Sequence, residues 1–164
     1  MDRGEESVNM LNFLENMYSQ NRLIYIRGNH EDLFLDCLQE LCTNHCVISS
    51  YHYSNGTVNT IKNFVEEHDS QLALRVSRGW LLTSEEVKQV EKCCKRFKKL
   101  ISKSVPYYEL GDYIFVHGWI PCKSDDSFLY HPTKNVKYLS NWRCLKPGSQ
   151  KWKEARWLNG MLCW

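Results

Sequence analysis

A chain of 164 residues is long enough for one domain and short for two. With 43% hydrophobic and 24% charged residues it has the ordinary globular mix, and only four Pro and eight Gly, which excludes disordered and collagen-like chains. A net charge of +2 carries no nucleic-acid footprint, and no run of about 18 apolar residues could form a transmembrane helix.

The first residues, Met-Asp-Arg-Gly-Glu-Glu, are charged from the second position and do not read as a signal peptide, so the expected compartment is the cytoplasm. In that compartment the eight cysteines are expected to be mostly free thiols, with Cys37 and Cys94 in the core.

From Glu5 to Ser19, Val8, Leu11, Leu14 and Met17 recur every third residue, which predicts a helix. Arg22-Leu23-Ile24-Tyr25-Ile26-Arg27 is β-prone and predicts a buried strand feeding a turn at Gly28-Asn29-His30. A second amphipathic helix is expected from about Glu31 to Cys42, with Leu33, Leu35, Leu38 and Leu41 mostly inward. Helix, strand, turn and helix in that order predict an α/β layered domain.

Further along, Asn55-Gly56 signals a turn, and a helix is expected from Thr57 or Val58 to about Glu67. Thr83 and Glu86 have capping-box spacing and open a long helix to about Ser102. Its apolar stripe is Val87, Val90, Cys94, Phe97 and Ile101, and its opposite face is basic and reads as a solvated face. Gly111-Asp112 between two β-prone runs, 107–110 and 113–116, predicts a hairpin. Residues 121–149 read as irregular, and a last helix is expected from Ser149 to Leu158. With no repeat and no linker, residues 1–164 read as one domain.

Two predicted strands end in small polar clusters, Gly28-Asn29-His30-Glu31 and His117-Gly118. Sites in open α/β sheets form beyond the carboxyl ends of strands, and an amide with an imidazole there can ligate a metal. Gly28 is expected to let the backbone turn sharply before Asn29. Asp2-Arg3-Gly4 precedes the first helix, and an arginine suits bidentate grip of phosphate. Cys42, His45 and Cys46 lack a second ligand pair at finger-like spacing, so structural zinc is not expected.

Asp-Arg-Gly at 2–4, Gly-Asn-His-Glu at 28–31 and a strand ending in His-Gly at 117–118 together resemble the calcineurin-like metallophosphoesterases. Within them the chain is most similar to the phosphoprotein-phosphatase branch and its bacterial and phage relatives. The resemblance runs in order over nearly the whole chain, with no usable motif from 44 to 105. It implies a partial β-sandwich flanked by helices and a metal-dependent phosphoesterase. Two divalent ions (Mn, Fe or Zn) would activate a water against a phosphate ester, either a phosphoprotein or a small molecule.

The resemblance makes Asn29 and His117 ligands of the same ion. It makes His30 the general acid to the leaving oxygen and Asp2 the group that orients its imidazole. Arg3 would clamp the phosphate oxygens, with a second clamp from Arg156 or Arg143, Arg156 being preferred. The family's opening Gly-Asp-x-His-Gly, its bridging Asp and its late Gly-His are not in the sequence. The expectation is therefore a truncated domain, inactive or weak, holding ligands for one ion. Trp119 stands where the family has a small residue, and either narrows the pocket or packs into the core. Tyr51, Tyr53, Asn55 and Thr57 follow the site helix and are expected to line the substrate cleft. The other reading is a non-catalytic binding module that keeps the scaffold without the metals. No membrane partner is expected, and the sequence leaves the oligomeric state open.

Overall fold

A computed structural model describes residues 4–44, 48–105, 107–110 and 113–117. Six helices occupy most of them: α1 (Ser7–Ser19), α2 (Asn29–Asn44), α3 (Ser50–Ser54), α4 (Thr57–Glu66), α5 (Ser70–Ser77) and α6 (Ser84–Ile101). Two strands follow, β1 (Tyr107–Leu110) and β2 (Tyr113–Val116). The expected helix from Ser149 to Leu158 and the irregular stretch 121–149 lie outside the described residues. Among the described residues no helix is long and apolar enough to cross a membrane.

The chain divides into two compact units. The first takes residues up to Leu23 and His30–Lys103, and it is helical. Its centre is a triangle of phenylalanines. Phe34 of α2 lies 4.7 Å from Phe97 of α6 and 6.1 Å from Phe64 of α4, and Phe64 lies 5.6 Å from Phe97, ring centroid to ring centroid. Each ring is buried, and truncating one to Ala costs about 3–5 kcal/mol through lost transfer energy and the cavity left behind. Cys37, Leu38, Leu41, Ile61, Val65, Val90 and Cys94 are buried on the same three helices.

The α6 stripe is inward as its period requires: Val87, Val90, Cys94, Phe97 and Ile101 are all buried. In α2 the buried line is Phe34, Cys37, Leu38 and Leu41, while Leu33 and Leu35 are half-buried. Those four sit at i, i+3, i+4 and i+7, one helical face, which the leucines alone did not mark.

Helix starts follow their capping chemistry. Thr83 Oγ1 accepts from Glu86 N at 3.3 Å, and Thr83 N donates to Glu86 Oε2 at 2.7 Å, closing the capping box. Asp69 Oδ1 accepts from Leu72 N at 2.9 Å and opens α5, an element the sequence reading did not anticipate. Gly56, at φ 80°, takes the left-handed position that joins α3 to α4.

The second unit takes Ile24–Asn29 and residues from Ser104 on. β1 and β2 pair antiparallel, with Tyr107 opposite Val116 and Leu110 opposite Tyr113. Gly111-Asp112, which joins them, lies outside the described residues. The expected strand at 22–27 is not formed as a strand. Its backbone makes one isolated parallel bridge, Ile26 to Val105, in which Val105 N donates to Tyr25 O and Arg27 N donates to Val105 O, both at 2.9 Å.

This overturns the expected α/β layered, sandwich-type fold. The described residues are mostly helical, and their only sheet is the two-stranded pair β1-β2. The reason is partnership. A β-prone run becomes a strand only where a neighbour offers a ladder, and 22–27 is offered one rung. Between 50 and 101, where the motif-based reading found nothing to use, the apolar period is helical.

Candidate functional site

Asn29 and His117 are brought together by backbone pairing inside the second unit. The bridge fixes Ile26 beside Val105, and Asn29 follows three residues on. From Val105 the chain runs out along β1 and returns along β2, whose Val116 faces Tyr107. His117, the next residue, is thereby carried back towards the bridge. Asn29 Oδ1 and His117 Nε2 lie 2.9 Å apart. An amide oxygen only accepts, so in this contact Nε2 is the donor, and an ion held by the pair would take the place of that proton. Asn29 is 3% exposed and is the first residue of α2, whereas His117 is exposed.

Gly28 is buried, but it is not one of the left-handed residues, which among the described residues are Asn21, Gly56 and Gly79. The sharp turn expected at Gly28 is not recorded: the chain passes from an unassigned Arg27-Gly28 straight into α2. His30 follows Asn29 in the first turn of α2, half-buried and engaged by a neighbour. Glu31 and Asp32 complete that turn, where acidic side chains suit the positive end of the helix dipole. Asp2, Arg3, Arg143, Arg156 and Trp119 lie outside the described residues.

The pair fits one edge of a metal shell. Bonds of about 2.1 Å at right angles in an octahedral shell put neighbouring donors about 3.0 Å apart, and an amide oxygen with an imidazole nitrogen is an acceptable donor set. It does not complete a shell. Among the described residues no group of three or more His, Cys, Asp or Glu is arranged to hold a metal. A tight site needs about four ligands, and two donors fall short of that number.

The residues expected to line a substrate cleft separate. Thr57 is fully buried, and the Asn55 amide donates to Tyr51 O at 2.8 Å. Tyr51 does border a cleft of about 410 Å³ in the first unit, beside Asp36, Glu40, Thr43 and His52. His52 is 3% exposed, with Nε2 3.4 Å from Glu40 Oε1, and its Nδ1 is buried with no hydrogen-bond partner. The other carboxylate oxygen of Glu40 accepts from Ser49 N at 2.8 Å, tying the start of α3 to α2. Sequence reasoning gave His52 no role, and no local motif marks it.

The four described cysteines, Cys37, Cys42, Cys93 and Cys94, form no disulfide among the described residues. Cys37 and Cys94 are buried, and burial raises the Cys94 thiol well above its ordinary range. Burial, with help from a hydrogen bond to Glu91, pushes the Cys42 thiol to about 11. Cys46 and His45 lie outside the described residues.

Comparison with models of protein families, with curated proteins and with solved structures gives no match. The resemblance to metallophosphoesterases therefore rests on the motif residues of the sequence alone.

Proposed function

We propose that the chain carries part of a metal-dependent phosphoesterase site, with Asn29 and His117 as two ligands of one divalent ion. The observation that supports this most is their contact at 2.9 Å across 88 residues of sequence. The family likeness pairs these same two residues on one ion, and nothing in their local sequence requires them to meet. The layered sandwich takes no part in this reading, which rests on the pair.

A bound divalent ion would supply an activated water and neutralise phosphate oxygens. In this proposal the His30 imidazole gives a proton to the leaving oxygen, and Asp2 orients that ring. Arg3, with Arg156 or Arg143, holds the phosphate oxygens in bidentate fashion. The substrate is a phosphate ester, a phosphoprotein or a small molecule. Hydrolysis of p-nitrophenyl phosphate by the full chain with Mn²⁺ tests it. The expected result is slow, Mn²⁺-dependent turnover that falls by a factor of about 100 or more in His30→Ala. Turnover unchanged by that substitution would overturn the role of His30.

One observation favours a second reading, a binding module without catalysis. Among the described residues, Asn29 and His117 gain no further donors from a cluster of three or more His, Cys, Asp or Glu. Absence of any Mn²⁺-dependent turnover would select it.

A further inference from the structure

The cleft between α2 and α3 lies within the first unit, and its volume of about 410 Å³ is that of a small-ligand site. Asp36 and Glu40 stand one turn apart on its α2 wall, and Leu33, Thr43, Tyr51 and His52 line it with them. We propose that this cleft binds an aliphatic diamine, with one ammonium group at Asp36 and the other at Glu40.

The charge around the cleft selects a cation. Asp36 is exposed, and no ion pair among the described residues engages it. Between Arg27 and Lys62 the sequence holds four acidic residues and no Lys or Arg. The last turn of α2 carries no basic residue, so the negative end of its dipole adds to this field. Among the described residues no three His, Cys, Asp or Glu side chains are arranged to hold a metal, which leaves a cation bound through hydrogen bonds.

His52 points to the same class of ligand. Its ring is 3% exposed and lines the cleft, and its Nδ1 is buried with no hydrogen-bond partner. Nε2 lies 3.4 Å from Glu40 Oε1, and facing a carboxylate it is the donor, which in the neutral ring leaves Nδ1 an acceptor. A buried acceptor without a partner costs free energy that a ligand N–H removes. Donors nearby are already used: Ser49 N on Glu40 Oε2 at 2.8 Å, and Thr43 Oγ1 on Gln39 O at 2.9 Å. The charged and buried polar atoms of the cleft are therefore acceptors, and an ammonium group only donates.

Spacing selects a diamine. Four residues of helix advance about 6 Å, and two ammonium groups on a four-carbon chain stand about as far apart. Glu40 has capacity beyond Ser49 and His52, since a carboxylate accepts at about four positions. The methylenes between the charges would lie against Leu33 and the exposed Tyr51 ring, whose face also attracts a cation. A lysine side chain brings one ammonium group, whereas the cleft offers two carboxylates.

Isothermal titration of the full chain with 1,4-diaminobutane tests the proposal. One molecule is expected to bind per chain, more weakly as salt rises. Asp36→Asn, at an exposed position, should leave the circular dichroism spectrum unchanged and weaken binding at least tenfold. In proton NMR the His52 ring signal, assigned through the Tyr51 ring 6.0 Å away, should shift on titration while that of exposed His68 stays in place. Equal affinity for 1-aminobutane, full affinity in folded Asp36→Asn, or an unmoved His52 signal would each overturn the proposal. So would binding of an oligolysine peptide but not of the diamine, which would make the partner a basic protein segment. None of these readouts depends on Mn²⁺ or on phosphoesterase turnover.

Discussion

Asn29 accepts a hydrogen bond from His117 at 2.9 Å, although 88 residues separate them in the chain. The contact joins the first residue of a helix to the residue that ends a hairpin, and the Ile26–Val105 bridge holds both ends in register. A buried amide and an exposed imidazole meet with both polar atoms facing. For a core contact an apolar pair would serve as well. For a ligand pair these are the required atoms.

The capping box at the start of α6 makes the fold sensitive to acid. The hydrogen bond from the Thr83 backbone, above all, holds the Glu86 carboxyl below its ordinary value near 4.5. A depressed carboxyl contributes stability that is present above the unfolded value and lost as pH falls through the folded one. Urea unfolding from pH 6 down to pH 3 should show that loss in the wild type. Glu86→Gln should flatten it, and Thr83→Ala should cost about 1 kcal/mol at neutral pH. An acid limb that keeps its slope in Glu86→Gln would assign the sensitivity elsewhere.

Cysteine reactivity should divide by burial. With its pKa near 11, Cys42 holds about a hundredfold less thiolate than an ordinary thiol at pH 8 and should alkylate correspondingly slowly. Cys37 and Cys94, both fully buried, should react only on unfolding. Timed iodoacetamide labelling with peptide mass spectrometry reads each site. Rapid labelling of Cys94 in the native state would contradict the packing of α6.

Gly79 sits at φ 65°, and a Cβ there would stand 2.5 Å from Tyr53 Oη. The Tyr53 ring is 39% exposed and can swing aside, so the left-handed backbone sets the cost. Gly79→Ala should destabilise by about 1 kcal/mol, and adding Tyr53→Phe should recover little of it. Full recovery in the double variant would make the clash the cause.

The helices were legible where period and caps agree. Val87 to Ile101 announced the α6 core face, and Thr83 with Glu86 announced its start within a residue. Helix α5 escaped notice because eight residues give barely two turns of period, and its signal is a lone Asp69 cap. The layered fold failed at 22–27, where β propensity is real but depends on partners a local reading cannot see. The Asn29–His117 pairing was legible only through a motif likeness, because no periodicity links residues so far apart. His52 was invisible, since its burial comes from the packing of α3.

The most direct test is a Mn²⁺ titration of the full chain followed by the histidine ring signals in proton NMR, with His117 assigned through His117→Ala. The account predicts that the His117 signal broadens first, well before that of exposed His68, and that Asn29→Ala raises the Mn²⁺ concentration required at least tenfold. If His117 broadens no earlier than His68, or Asn29→Ala leaves the titration unchanged, the two residues do not share an ion.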